Sequence, residues 1–147
     1  MKETGRHQEA RIRAVELENF LSFEHARVEL GKLNVLVGPN ASGKSNFVKA
    51  LMFLRRLTEM GTNEVNRYLG LRRIEDLFYD FDISKHIIVR AQLRIHKEDL
   101  FYELKIDGSA RITAECVKMG DGSLLMNRED VRKGWVLSTA KEKTSID

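Results

Sequence analysis

The stretch Gly38-Pro39-Asn40-Ala41-Ser42-Gly43-Lys44-Ser45 decides how this chain is read. It follows an apolar run, Leu33-Asn34-Val35-Leu36-Val37, and opens into a helix-patterned segment from Asn46 to Leu57. Strand, glycine-bounded loop and helix, in that order, is the setting in which G-x-x-x-x-G-K-[ST] reads as a phosphate-binding loop. The residue types suit the chemistry. A helix N-terminus offers unpaired N–H groups at its positive dipole end, and a polyphosphate is a cluster of anionic oxygens. Gly38 and Gly43 allow backbone angles and a close approach that a Cβ would block. Lys44 supplies a point charge for the β and γ phosphates, and the Ser45 hydroxyl is a ligand for Mg2+. Lys44 is the candidate catalytic residue, and Ser45 the candidate metal ligand.

Composition sets the outer limits. At 147 residues and 42% apolar content the chain is one domain in size with enough material for a core. There are 25 Lys and Arg against 22 Asp and Glu, so the net charge is only +3. An excess this small is the signature of a solvated surface, and no basic block marks a nucleic-acid face, so DNA stays a possible partner that charge does not demonstrate. Cys116 is the only cysteine, which excludes an intrachain disulfide and a cysteine metal site; its place on an alternating run predicts a buried thiol. The four histidines show no ligand spacing along the chain. Neither a signal-peptide core nor a membrane-length apolar run occurs, so a soluble, cytoplasmic protein with no membrane partner is expected.

Outward from the loop, alternation dominates. Val15, Leu17 and Asn19 fall on one side of a first strand, with Ile12, Ala14 and Glu16 on the other. Ala26, Val28 and Leu30 form one face of a second strand opposite Arg27 and Glu29. Gly31-Lys32 predicts a tight turn into Leu33–Val37, read as a buried strand antiparallel to the second. After the loop, Phe47, Ala50, Leu51, Leu54 and Thr58 share a helical stripe with Lys49 and Arg56 opposite. Residues 63–78 carry a weaker helical pattern that Gly70 interrupts. From His86 to Asn127 the pattern is an antiparallel meander, turned at His96–Asp99, at Asp107-Gly108 and at Gly120-Asp121-Gly122. Residues 1–9 and 141–147 read as loose tails.

Two elements together carry a family resemblance: Asn19-Phe20-Leu21-Ser22-Phe23, about twenty residues upstream, and Gly38-Pro39-Asn40-Ala41-Ser42-Gly43-Lys44-Ser45-Asn46. In this the chain resembles the start of an SMC/RecF-type ABC ATPase, and is most similar to the AAA-type ATPases grouped with RecF and the OLD-family nucleases. The resemblance is specific over residues 12–57 and holds only as strand pattern over 86–127. It implies an α/β fold: the N-terminal lobe of a P-loop NTPase head, a mixed sheet around the phosphate loop with an antiparallel β-meander. The lobe would be a single incomplete domain over residues 1–147. It further implies ATP and Mg2+ as cofactors, with Gly38 to Asn46 holding the phosphates and Asn19 and Ser22 near the adenine and ribose. A homodimer or a chain carrying the C-terminal lobe would complete the site.

The family's other motifs are not found. Leu77-Phe78-Tyr79-Asp80 is the nearest approach to a Walker B strand, but Phe81 follows where a Glu is needed. Leu137-Ser138-Thr139 is no signature loop, and neither Gln8 nor Gln92 stands where a Q-loop would. ATP binding with negligible turnover in isolation is therefore expected, in a DNA-related or defence role. Two alternatives stay open: a small P-loop metabolite kinase, and a truncated nucleotide-binding module that does no chemistry.

Overall fold

A computed structural model describes residues 10–57, 70–131, 134–139 and 143–146. The frame is one eight-stranded sheet in the order β2-β1-β3-β4-β5-β6-β7-β8. Its strands are β1 (Ala10–Phe20), β2 (Phe23–Glu29), β3 (Ile87–Ile95), β4 (Glu98–Ile106), β5 (Ile112–Met119), β6 (Leu124–Val131), β7 (Gly134–Thr139) and β8 (Lys143–Ile146). Every pairing is antiparallel, so after β1 takes its place between β2 and β3 the sheet runs as a meander. The one α-helix among the described residues, α1 (Lys44–Leu57), covers the apolar face.

Alternation explains the core. Ile87, Val89 and Ala91 of β3, Leu104 and Ile106 of β4, and Val15 and Leu17 of β1 are all buried. Phe47, Ala50 and Phe53 of α1 pack onto them. Phe53, absent from the stripe read in the sequence, is fully buried, its ring centroid 5.3 Å from that of Phe20. Lys49 and Arg56, expected in water, are half-buried. A bulge between Ile12 and Ala14 shifts the register there. It moves Ile12 from the face predicted for it onto the side that packs against the core.

The opposite face of the sheet is charged. Arg90 of β3 donates to Glu16 (2.8 Å) and Glu18 of β1 and to Glu103 of β4 (2.6 Å), and Arg27 of β2 adds a contact to Glu16. Burial pulls the Glu16 carboxyl upward, but the His25 hydrogen bond and the Arg90 charge outweigh it and hold it below its usual range. Glu103 is lowered in the same way by Arg90 and Lys105. Glu16, Glu18 and His25 place ligand-type atoms within 4.8 Å of one another, a closeness that sequence spacing concealed. Arg90 already supplies the positive charge there. Cys116 faces this side, opposite Glu103, and is partly exposed rather than buried. A bulge at Lys105/Ile106 leaves Ile112 on the core side and turns Ala114 and Cys116 outward.

Three further expectations are corrected. Leu33–Val37 is not a strand, does not pair with β2, and is exposed. The lobe-level fold stands, but among the described residues its sheet is antiparallel and does not include the loop strand. Second, residues 70–78 form no α-helix: two 3-10 turns, Glu75–Leu77 and Tyr79–Phe81, replace it, while 63–69 lie outside the described residues. The third concerns the C-terminal tail, where Lys143–Ile146 pairs with β7 as an edge strand. Residues 1–9, 141–142 and 147 lie outside the described residues, as does Thr58.

Candidate functional site

The segment carrying the glycine-bounded loop leaves the sheet at Leu30, whose N–H donates to the Arg13 carbonyl (2.7 Å). The Gly31-Lys32 turn is stitched by Asn34: its carbonyl accepts from Gly31 N–H (2.9 Å) and its amide donates to Gly31 O (3.1 Å). The chain then runs through Leu33–Val37 into the loop and enters α1 at Lys44. The first helical bond, from Phe47 N–H to the Gly43 carbonyl, is 2.9 Å. That leaves the N–H groups of Lys44, Ser45 and Asn46 ahead of the hydrogen-bonded ladder. The first turn holds no acidic residue, and Arg55 and Arg56 occupy the last turn. Nothing within the helix cancels the positive end of its dipole, and the basic residues sit where the negative end favours them.

Both glycines are required by geometry. Gly43 has φ +89°, and a Cβ there would lie 3.3 Å from the Phe23 ring. A Cβ on Gly38 would come within 2.9 Å of Ser42 Oγ. The loop is closed on itself through Lys44, whose Nζ donates to the carbonyls of Gly38 (2.7 Å) and Pro39 and to Ser42 Oγ (3.1 Å). Asn40 to Asn46 line a shallow cleft of about 280 Å³ with no carboxylate on its wall. Backbone donors, an ammonium group and two hydroxyls make it a site for an anion, and the Ser45 hydroxyl is exposed for a cation to use.

Of the upstream pair, the fold brings one residue to the loop. Ser22 Oγ accepts from Asn46 Nδ2 at 2.9 Å, closing 24 residues of chain. Its position is set by the Phe20–Phe23 hairpin and by Leu21 N–H donating to Leu77 O at 2.8 Å. Asn19, predicted beside the base, is instead 5% exposed, and its amide donates to the Asp82 carbonyl at 3.3 Å. Its φ of +52° gives a local reason for the residue type, since Asn tolerates the left-handed region. Asp80 stands exposed on a 3-10 turn with φ +51°, not at the end of a buried strand.

A second cleft, of about 440 Å³, shares Asn46 with the first and is lined also by Ser22, Lys49, Asp76, Tyr79 and Asp80. Sequence reasoning missed it because its walls come from segments more than twenty residues apart, and no spacing rule joins them. The mixed acidic and aromatic run at 77–82 was the one visible signal.

The profile of the AAA ATPase domain family matches residues 11–142. The chain is 41% identical over 91 residues to the DNA double-strand break repair Rad50 ATPase of Saccharolobus solfataricus, which covers 60% of this chain and 10% of that protein. It is 32% identical over 120 residues to an uncharacterized protein of Methanocaldococcus jannaschii, covering 80% of this chain and 34% of that one. The solved structure of the recombination mediator RecF with ATP superposes with a TM-score of 0.56 at 20% identity, over 81% of this chain and 29% of RecF. The chain thus spans about a third or less of the length of each of these proteins. With a family profile running through residues 11–142, the chain belongs to the AAA ATPase domain family.

Proposed function

We propose that this chain binds ATP with Mg2+ through Gly38–Asn46, and that it forms the nucleotide-gripping part of an ATPase acting on DNA. The observation that carries this is the Lys44 ammonium held over a loop whose glycines leave no room for a Cβ, at a helix start free of acidic residues. On binding, Lys44 exchanges the Gly38 and Pro39 carbonyls for phosphate oxygens, and the loop and helix N–H groups take up the others. The Ser45 hydroxyl ligates the metal, which neutralises the charge that develops on the phosphates. Ser22 and Asn46 position the helix start against the β1–β2 hairpin. The role on DNA is drawn from the Rad50 and RecF relatives, as is the ATPase class.

Hydrolysis needs a further carboxylate and a group that orients water. Among the described residues no carboxylate lines the loop cleft itself, and a complementing lobe or partner chain is the source proposed for these groups. The test is a calorimetric titration of ATP with and without Mg2+. Wild-type chain should bind, Lys44→Ala should lose about thirtyfold to a hundredfold in affinity on removal of a charge-assisted contact, and turnover by the chain alone should stay at background. Equal affinity in the two proteins would remove the reading, and Lys44-dependent turnover at ordinary ATPase rates would remove the need for a complementing part.

A further inference from the structure

We propose that Phe23 is a positioning residue for the loop: its ring limits the freedom of Gly43, so the N–H groups of the helix start are already aimed when a nucleotide arrives. This rests on the nucleotide reading above and deepens it by naming what holds the donors in place.

Three observations lead there. A Cβ on Gly43 would lie 3.3 Å from Phe23 Cε1, 3.4 Å from Cζ and 3.4 Å from Ser22 Oγ, so the tip of the β1–β2 hairpin lies directly against this glycine. Gly43 is also where the chain turns into α1: it has φ +89°, and its carbonyl accepts the first helical bond, from Phe47 N–H. Beyond Lys44 and Ser45, Asn46 Nδ2 donates to Ser22 Oγ at 2.9 Å. The tip thus braces the backbone on both sides of Lys44 and Ser45.

The brace is itself anchored. Leu21 N–H donates to Leu77 O at 2.8 Å, Phe20 bridges to Phe78, and Phe20, Leu77 and Phe78 are buried. Phe23 pairs with Phe20 across the turn and packs against the same core.

Glycine populates positive and negative φ about equally, so an unbraced Gly43 would let the loop swing relative to the helix. Ordering it only on binding would weaken affinity, and a ring that orders it beforehand removes that penalty. The bonds from Lys44 Nζ to Gly38, Pro39 and Ser42 do not serve in the bound state, because the ammonium leaves the two carbonyls for phosphate oxygens. The contacts of Phe23 and Ser22 do not involve Lys44 and persist.

Calorimetric titration of the whole chain tests this, with Mg2+-ATP and with Mg2+-tripolyphosphate, which has neither base nor sugar. In Phe23→Ala both ligands should bind about tenfold more weakly. Phe23→Leu, which keeps a side chain against Gly43, should bring both back to within about threefold of wild type. Val28→Ala is the control, since Val28 also packs from β2 onto the core. It should lower the melting temperature and leave both affinities unchanged, each protein being titrated below its unfolding transition. Should Phe23→Ala fail to fold, Phe23→Val, which removes the ring but suits a strand, carries the same expectation. Loss of ATP affinity with tripolyphosphate unaffected would make Phe23 a contact for the base and overturn the inference. Unchanged affinities in the folded Phe23 variant overturn it as well. So does a Val28→Ala loss as large as that of Phe23→Ala, which would assign the effect to general stability. Failure of wild type to bind either ligand removes the nucleotide reading itself, and this inference with it.

Discussion

In the sheet body, backbone hydrogen bonds go to neighbouring strands over the whole length of β1, β3 and β4; in the segment from Gly31 to Ser45 they do not. The body buries Leu17, Phe20, Phe53 and Leu104 completely, whereas the loop segment leaves Leu33 and Val37 almost wholly in water. Both are rich in apolar residues, so hydrophobicity does not separate them. What separates them is the supply of partners. The meander carries its own neighbours in sequence, each strand a short turn away from the next. Leu33–Val37 does not pair with β2, the strand that precedes it in sequence. A domain built this way is stable where its contacts are local and open along Leu33–Val37.

The largest effect that sharpens the contrast is Phe53→Ala. Phe53 is fully enclosed against Phe20, and its truncation should destabilise the chain by about 3–5 kcal/mol in urea denaturation, the range for buried aromatic residues. Val37→Ala, an apolar truncation in the open segment, should stay within about 0.5 kcal/mol of wild type. Comparable losses in the two variants would show that Leu33–Val37 is packed in solution and would erase the distinction.

A smaller effect is expected at Gly108, in the hairpin between β4 and β5. A Cβ there would lie 2.2 Å from the Ile83 carbonyl oxygen, a backbone atom that cannot swing aside. Gly108→Ala should therefore cost about 1–3 kcal/mol, as an overpacked site does. Gly122→Ala is the control for turn strain: Gly122 has φ +86° but nothing within 4 Å of the Cβ position. A Gly108 variant no worse than the Gly122 one would mean that the segment from Asp82 to Lys85 moves freely over the sheet.

Much of the body was readable in advance because alternation and turn chemistry are local. Asp107-Gly108 and Gly120-Asp121-Gly122 fall where the chain reverses, and the Ile87, Val89, Ala91 face is the buried one. The Gly38–Ser45 motif stands out in the sequence because its spacing is local. The rest depended on three-dimensional context. The bulge at Ile12/Ala14 inverts an alternation that looked regular, and Phe53 is buried because Phe20 widens the covered face of α1. Strand β8, Lys143-Thr144-Ser145-Ile146, is polar enough to read as a tail, yet an edge strand needs little apolar content once β7 offers its backbone. Asn19 fits a family motif and a backbone requirement at once, and the fold uses it for the second.

The charged face gives the smallest effect and the one that depends on pH. Arg90 joins carboxylates from two neighbouring strands, so the sheet gains cross-strand ion pairs. Glu16 and Glu103 are both held below their ordinary values in the folded chain, burial opposing and Arg90 among the groups prevailing. For a carboxyl lowered on folding, the stabilisation is complete above the unfolded value, near pH ~4.3, and is lost as pH falls through the folded one. Urea midpoints should thus hold steady from neutral pH down to about pH 5 and fall below it. Arg90→Met should lower the plateau by about 1 kcal/mol or less, since the pairs are partly exposed, and should flatten the acid limb. An acid limb of unchanged steepness in Arg90→Met would assign the pH dependence to carboxylates elsewhere. Asp107, which accepts from the Arg111 backbone and side chain beside Gly108, would then be the group to replace next.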